Sequence, residues 1–345
     1  MARIVFKENV LEKVQERIRH AFDDFETVIC TMSGGKDSLV CLHLAITEAE
    51  KRGRKVRCVF LDQEAEWEAS IVEVRRWMQH PTVEPYWIRA PFILENSMGV
   101  LNDKQHYLLT YDPACEDKWI HPRDPLAIYE WPDEVMAAVK KHKAGNHDVI
   151  MYNGEKYQDF YFALGAALWM ACKGPTMIMG GMRANEALGR LMMSTHKMYR
   201  NINSTYAATH GCMPYLGNMQ MNPIYDWKGS DVWKYIYDNK LPYNSLYDRL
   251  YQVGVNHRGM RVSSVCHEMA LSSISVFAEI EPVVWDRIQR RLAGANSMHN
   301  LGGSHSSCPD KFPIIFNSWR EYRDYLFEVL VPEAKNRHWR MFWRG

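Results

Sequence analysis

The chain has 345 residues, 47% of them hydrophobic and 24% charged, which is ordinary for a globular protein and long enough for a large α/β domain with a smaller region beside it. A formal net charge of +1 excludes a broadly basic surface for polyanions, so any nucleic-acid contact must be a local patch. The eight cysteines, at 30, 41, 58, 115, 172, 212, 266 and 308, include no C-x-x-C and no close pair, which argues against a disulfide framework or zinc ribbon and for a reduced, cytoplasmic setting.

Met1 to Glu8 lacks the apolar core of a signal peptide, and no apolar run reaches the roughly 18 residues of a membrane span. Val10, Leu11, Val14, Ile18 and Phe22 recur at helical spacing, predicting an amphipathic helix against the first strand. The β-rich run Thr27-Val28-Ile29-Cys30 stops at Ser33-Gly34-Gly35-Lys36-Asp37-Ser38, and Leu39, Leu42, Leu44 and Ala45 then begin a helical pattern. Adjacent glycines remove the Cβ atoms that would hold a ligand off the backbone, so the amides of Gly34, Gly35 and Lys36 can converge on one anion at a helix N-terminus. Lys36 adds a full charge, and Ser33 and Ser38 add hydroxyl donors. Capping alone, by Ser33 or Asp37, would explain the turn but not a lysine inside it. A Walker A loop would need glycine where Cys30 stands, and no G-x-G-x-x-G is present in this stretch.

A second strand, Lys55 to Asp62, ends on a carboxylate. Asp62 is a candidate for Mg²⁺ or a ribose hydroxyl, and equally for capping the helix that begins near Glu66. Trp67 to His80 reads as a helix and Val83 to Ile88 as a third strand. Periodicity breaks from 91 to 153, predicting an insertion with short helices, a lid or partner surface, whose clearest helix is Val135 to His142. A helix from Gln158 to Cys172 precedes the strand Pro175 to Met179, which runs into Gly180-Gly181-Met182-Arg183-Ala184-Asn185-Glu186. Arg183 could fork onto a phosphate or sulfate there. Further on, a helix from Ser230 to Asn239, N-capped by Ser230 or Asp231, turns Val232, Trp233 and Ile236 inward, and Asp226 before it is a site candidate. In the last stretch Lys335, Arg337, His338, Arg340 and Arg344 alternate with Trp339, Phe342 and Trp343. A nucleic-acid contact would use that pattern, but packing of the two tryptophans at i and i+4 explains it more simply.

Ser33 to Ser38 resembles the SGGKDS loop of the ATP pyrophosphatase (PP-loop, adenine nucleotide alpha hydrolase) superfamily. GGMRANEA resembles the G-[IL]-R-x-x-[EQ]-S element of the phosphoadenosine phosphosulfate (PAPS) reductase family, with Ala187 in place of serine. Asn222 to Trp227 followed by Asp231 to Ile236, and then Leu241 to Asp248, resemble that family's downstream motifs. The chain departs from the reductases where Asp62-Gln63-Glu64 replaces Asp-Thr-Gly, and where its end, Arg337 to Gly345, lacks the redox cysteine. LDQEAEWE and KFPIIFNSWREYRDYL look closer to the proteins related to immunoglobulin-binding regulator A, and more distantly to the ATP pyrophosphatase component of DNA phosphorothioation systems. Such proteins accompany a ParB/sulfiredoxin-like partner, and several are encoded by phage or mobile elements.

The resemblance implies a doubly wound parallel α/β sheet over 1–240, with the insertion, and a mostly helical region over 241–345. It implies an adenine nucleotide, ATP with Mg²⁺, held by Ser33, Gly34, Gly35, Lys36, Asp37, Ser38, Asp62, Gly181, Arg183 and Glu186. Asp37 and Asp62 are then the metal candidates, and Lys36, Asp37 and Arg183 act in adenylyl transfer to an acceptor. Two rival readings stand beside this. One is a sulfonucleotide reductase in which Cys212, Cys266 or Cys308 replaces the missing cysteine. The other is a nucleotide-sensing subunit without turnover, whose partner is a protein or DNA. A homodimer is the candidate assembly.

Overall fold

A computed structural model describes residues 9–99, 107–137, 159–186, 190, 208–210, 219–256, 260, 262–266, 271–296 and 315–329. Helix α1 (Val10–Asp24) starts where the Asn9 side chain accepts from the Leu11 amide at 2.9 Å, and it buries Val14, Ile18, Ala21 and Phe22. Strand β1 (Thr27–Thr31) leads through the glycine turn to α2 (Lys36–Lys51), β2 (Val56–Leu61), α3 (Glu68–Met78) and β3 (Val83–Ile88), each within a few residues of its predicted limits.

The main sheet has the order β6-β3-β2-β1-β7-β9-β8, where β6 is Ala127–Ile128, β7 Thr176–Met179, β8 Ala208–His210 and β9 Met219–Met221. Six of these strands run parallel and β8 pairs antiparallel at the edge. After β1 the chain builds outward through β2 and β3 to β6, then returns to place β7 on the other side of β1. The order therefore reverses between β1 and β7, and ligands in such sheets bind beyond the strand ends at that crevice.

Alternation along the central strands separates two cores. Val28 and Cys30 of β1, Cys58 and Phe60 of β2, and Met177 and Met179 of β7 face α1, α2, α3 and α5 (Gly229–Asp238). Ile29, Val59, Leu61 and Ile178 face the other way, onto α4 (Phe160–Ala171) and the helices α6 (Leu246–Gln252), α7 (Leu271–Ile280) and α8 (Pro282–Arg291). Residues of α6, α7 and α8 thus share one apolar cluster with the sheet. Trp67 stacks on Phe277 with ring centroids 3.7 Å apart. A last described helix, α9, spans Trp319–Val329.

The predicted insertion contributes more to the body than a lid would. Its segment β4 (Ile93–Glu95) pairs with β5 (Tyr107–Leu109), and β6 extends the main sheet alongside β3. Tyr111, Trp119, Ile120 and His121 are buried, because the aromatic residues that break helical periodicity fill the space beyond β3. Of the expected helix Val135 to His142, residues 133–137 are helical and the remainder lies outside the described residues. Neither Ser230 nor Asp231 is the N-cap of α5. Lys228 holds that position, and the Asp231 carboxylate accepts from the Lys228 amide at 2.7 Å. The basic C-terminal tail, Cys212 and Cys308 lie outside the described residues. Among the described residues no helix is long and apolar enough to cross a membrane.

At the end of β2 the fully buried Asp62 accepts from Arg89 Nε at 2.8 Å and from Trp87 Nε1 at 3.0 Å. Burial is the largest single influence on the pKa of Asp62 and would raise it, but the charges of Arg89 and His121, the hydrogen bond from Trp87 and the Tyr111 hydroxyl together outweigh burial and hold the carboxyl below its ordinary value. Replacing Arg89 with Met should leave a buried uncompensated carboxylate and cost roughly 3–5 kcal/mol in urea melts near neutral pH. The contribution of Asp62 is complete above the unfolded-state pKa of about 3.9 and is lost as pH falls through the lower folded value, so the gap between wild type and variant should close in strong acid.

Candidate functional site

The C-terminal ends of β1, β2, β7 and β9 open into a cavity of about 690 Å³ that the phosphate-loop candidate lines from Ser33 to Ser38, except for Gly34. That size suits a nucleotide-scale ligand. Gly34 takes φ +70°, and a Cβ on it would stand 3.0 Å from the Ser70 Cβ at the start of α3. Gly35 is the N-cap of α2 and no side chain caps it, so neither Ser33 nor Asp37 has the capping role considered from sequence. The first turn of α2 therefore keeps the positive end of its dipole beside the cavity, with the Lys36 amide bonded to the Tyr247 hydroxyl. Ser38 works on the loop itself: its hydroxyl donates to the Gly35 carbonyl at 2.9 Å and accepts from the Ser33 amide at 3.2 Å.

The second glycine turn lies against the first. A Cβ on Gly181 would come within 2.7 Å of the Ser38 nitrogen and 2.8 Å of the Asp37 carbonyl carbon, so only glycine lets the chain after β7 touch the start of α2. That contact brings Arg183 to Asp37. Arg183 Nε donates to Asp37 Oδ1 at 2.5 Å, Lys36 Nζ donates to Asp37 Oδ2 at 3.0 Å, and Arg183 Nη2 reaches Glu186 Oε1 at 3.1 Å. Glu186 also pairs with Arg190. The geometry thus unites Lys36, Asp37, Gly181, Arg183 and Glu186 in one charged cluster beside the glycine turns.

Two expected residues stand elsewhere. Asp62 does not line the cavity, since its carboxylate is turned to Arg89 and Trp87 and accepts from the Glu64 amide at 3.0 Å. Asp226 is tied to Arg17 of α1 by bonds of 2.9 and 2.6 Å, a link that fastens the loop before α5 to the first helix. Cys266 is fully buried and burial pushes its thiol well up, the reverse of the thiolate a redox role requires. As for metals, no group of three or more His, Cys, Asp or Glu side chains among the described residues forms a cage. A divalent ion carried in with phosphates needs only one or two protein carboxylates, so the residues present fit that lighter requirement.

Several contributors were not singled out from sequence. Asn244, buried before α6, donates to the Gly34 carbonyl at 3.0 Å and to Ser70 Oγ at 2.9 Å. Tyr247 OH accepts from the Lys36 amide at 3.2 Å, and the Lys36 ammonium lies 5.3 Å from its ring centroid. Val262 presses on Gly35, where an added Cβ would meet its Cγ2 at 3.2 Å. Glu66, Gln63 and Asn222 line the cavity, and Gln63 Oε1 and Asn222 Oδ1 are buried without a hydrogen-bond partner among the described residues. Burial raises the pKa of Glu66 well above its ordinary value, the Asp62 charge adds to this, and the Gln63 backbone N–H opposes it. An asparagine inside the Leu-Pro-Tyr-Asn run was the one legible signal.

Such a sheet, with two glycine turns meeting over a helix N-terminus at its switch point, is an α/β architecture that places a candidate anion-binding pocket where folds of this kind bind ligands. Residues 116–257 match the model of the phosphoadenosine phosphosulfate reductase domain. Residues 254–344 match a domain of unknown function, DUF3440. The chain is 27% identical over 341 residues to the uncharacterized protein YbdN of Escherichia coli K12, covering 96% of this chain and 78% of that protein. It is 23% identical to the uncharacterized protein MJ0066 of Methanocaldococcus jannaschii, covering 87% of this chain but 46% of that longer one. Among solved structures, a PAPS reductase from Candida auris aligns with a TM-score of 0.36 at 16% identity, over 72% of this chain and 94% of that one. An FMN adenylyltransferase from Candida glabrata aligns with a TM-score of 0.38 at 10% identity, over 71% and 63%. The nearness to immunoglobulin-binding regulator A rests on the sequence motifs alone.

Asn244→Ala should remove both braces of the glycine turn. We expect a stability loss of about 1–3 kcal/mol from the unmet Gly34 carbonyl and a weaker ATP affinity by calorimetry, whereas Asp226→Asn should leave that affinity within twofold. Gly181→Ala should weaken ATP binding even where the melting temperature is kept, because its methyl group must push the second turn off the start of α2.

Proposed function

We propose that the chain binds ATP, or a closely related adenine nucleotide, and transfers its adenylyl group to an acceptor with release of pyrophosphate. The observation that carries this reading is the meeting of the two glycine turns at the switch point, which sets Lys36 and Arg183 on opposite oxygens of Asp37 beside an uncapped helix N-terminus. The acceptor's nucleophilic atom bonds to the α-phosphorus as the bond from phosphorus to the bridging oxygen breaks, and pyrophosphate leaves toward Ser33, Gly35 and Lys36. Fixed backbone dipoles and these cations stabilise the charge that grows on the leaving group, with little reorganisation in a preformed site. Mg²⁺, when bound with the triphosphate, supplies further neutralisation of that charge.

Arg183 reaches the phosphates by exchanging part of its pairing with Asp37 and Glu186 for phosphate oxygens. Transfer is favoured over sulfonucleotide reduction because the buried described cysteines, Cys30, Cys41, Cys58 and Cys266, are thiols whose pKa values burial pushes up. A nucleic-acid acceptor and a ParB/sulfiredoxin-like partner are drawn from the sequence resemblance only.

Removing the lysine charge tests the reading directly. Wild type at 100 times its Kd for ATP should gain about 2.7 kcal/mol of stability, and Lys36→Ala should show no ATP-dependent rise in melting temperature while keeping its ligand-free Tm. Incubation of wild type with ATP and Mg²⁺, followed by mass spectrometry, should reveal AMP or an adenylated product with pyrophosphate. ATP binding with no pyrophosphate under any acceptor mixture would instead favour a nucleotide sensor.

A further inference from the structure

Charge around the cavity is balanced with one exception. Among its acidic lining residues, Asp37 pairs with Lys36 and Arg183, and Glu186 pairs with Arg183 and Arg190. Glu66 also lines the cavity, is 3% exposed, and forms no ion pair among the described residues. A carboxylate so placed would repel the triphosphate that the neighbouring turn is built to attract, unless a cation stands between them.

The surroundings of Glu66 fit a cation ligand. Its backbone is fixed from two sides: the Val265 amide donates to the Ala65 carbonyl at 3.0 Å, and His121 Nε2 lies 2.9 Å from the Glu66 carbonyl. Three residues before it on the same turn, Gln63 Oε1 is buried in the cavity wall with no partner among the described residues. Carboxylate and amide oxygens are the donors of hard divalent ions, and Mg²⁺ in nucleotide sites is held by one or two such groups with the phosphates completing its shell. The two aspartates that the sequence offered are already engaged, Asp37 by Lys36 and Arg183 and Asp62 by Arg89.

We propose that Glu66, with Gln63 Oε1 beside it, is the protein's ligand for the divalent cation that enters with the nucleotide. This rests on the adenine-nucleotide reading of the cavity. It moves the metal from the phosphate turn to the β2–α3 turn, and it gives the buried carboxyl a positive partner that the described residues do not supply.

The test uses the full chain, Mn²⁺ as probe and the non-hydrolysable α,β-methylene ATP. Mn²⁺ binding is followed by electron paramagnetic resonance, and nucleotide binding by calorimetry with and without EDTA. In Glu66→Gln, Mn²⁺ affinity in the presence of nucleotide should fall by about tenfold or more, while nucleotide affinity in EDTA should be unchanged or tighter. Glu66→Asp, which keeps the charge but withdraws it by one methylene, should fall between the two and serves if the glutamine variant does not fold. Equal Mn²⁺ affinity in wild type and variant overturns the proposal, as does an equal loss of nucleotide affinity in EDTA, which would make Glu66 a nucleotide contact. Wild type that binds no α,β-methylene ATP under either condition overturns the nucleotide reading itself, an outcome visible before any variant is made.

Discussion

Everything at the site depends on a contact that only the absence of side chains allows. The turn after β7 rests on the first residues of α2, with Gly181 so near the Ser38 nitrogen that any Cβ would separate the two strand ends. Parallel pairing sets this up, since Cys30 of β1 stands opposite Met179 of β7 and both strands end at one level. Arg183 and Asp37, far apart in sequence, then meet within hydrogen-bond distance. A guanidinium, an ammonium and a carboxylate crowded at a helix N-terminus are costly to desolvate, and an incoming phosphate can recover part of that cost.

The C-terminal residues are part of the same construction. Asn244 and Tyr247 hold the phosphate turn from outside, and Val262 closes over Gly35. Glu281, between α7 and α8, accepts from the amides of Glu68 and Ala69 and so caps α3 from a distant part of the chain. Arg291 of α8 forks onto Glu64 at 2.6 and 3.1 Å. Glu64 has φ +64°, a left-handed conformation that glycine would adopt freely and that costs a larger residue of order 1–3 kcal/mol. Its ion pair with Arg291 and the bond it accepts from the Tyr111 amide at 2.7 Å offset that strain. The described residues of the stretch matched by a domain of unknown function, Val262, Glu281 and Arg291 among them, therefore pack against the first glycine turn and the β2–α3 turn.

Two buried carboxyls four residues apart show how one turn divides its tasks. Asp62 is inward, paired with Arg89, and its ionised form is favoured. Glu66 lines the cavity without a counter-ion among the described residues, and burial favours its neutral form. The first behaves as a structural ion pair, while the second carries the kind of uncompensated cost that proteins keep at functional sites.

The order of strands and helices was legible wherever one periodicity ran unbroken: α1, β1, α2, β2, α3, β3, α4 and β7 follow directly from hydrophobic spacing and from glycine turns whose conformation is local. The phosphate turn belongs to this class, because Gly34-Gly35-Lys36 acts through backbone geometry that neighbouring residues dictate. Partnerships formed across the sheet were decided by tertiary structure alone. Asp62 and Asp226 sit at loop starts that look like ligand positions, yet Arg89 and Arg17, approaching from other elements, claim both. Glu66, Asn244 and Tyr247 carry no local mark that separates them from ordinary turn, cap and core residues. Their roles arise because packing brings residues about two hundred positions apart onto one glycine turn, and a linear pattern cannot encode which charge will meet which.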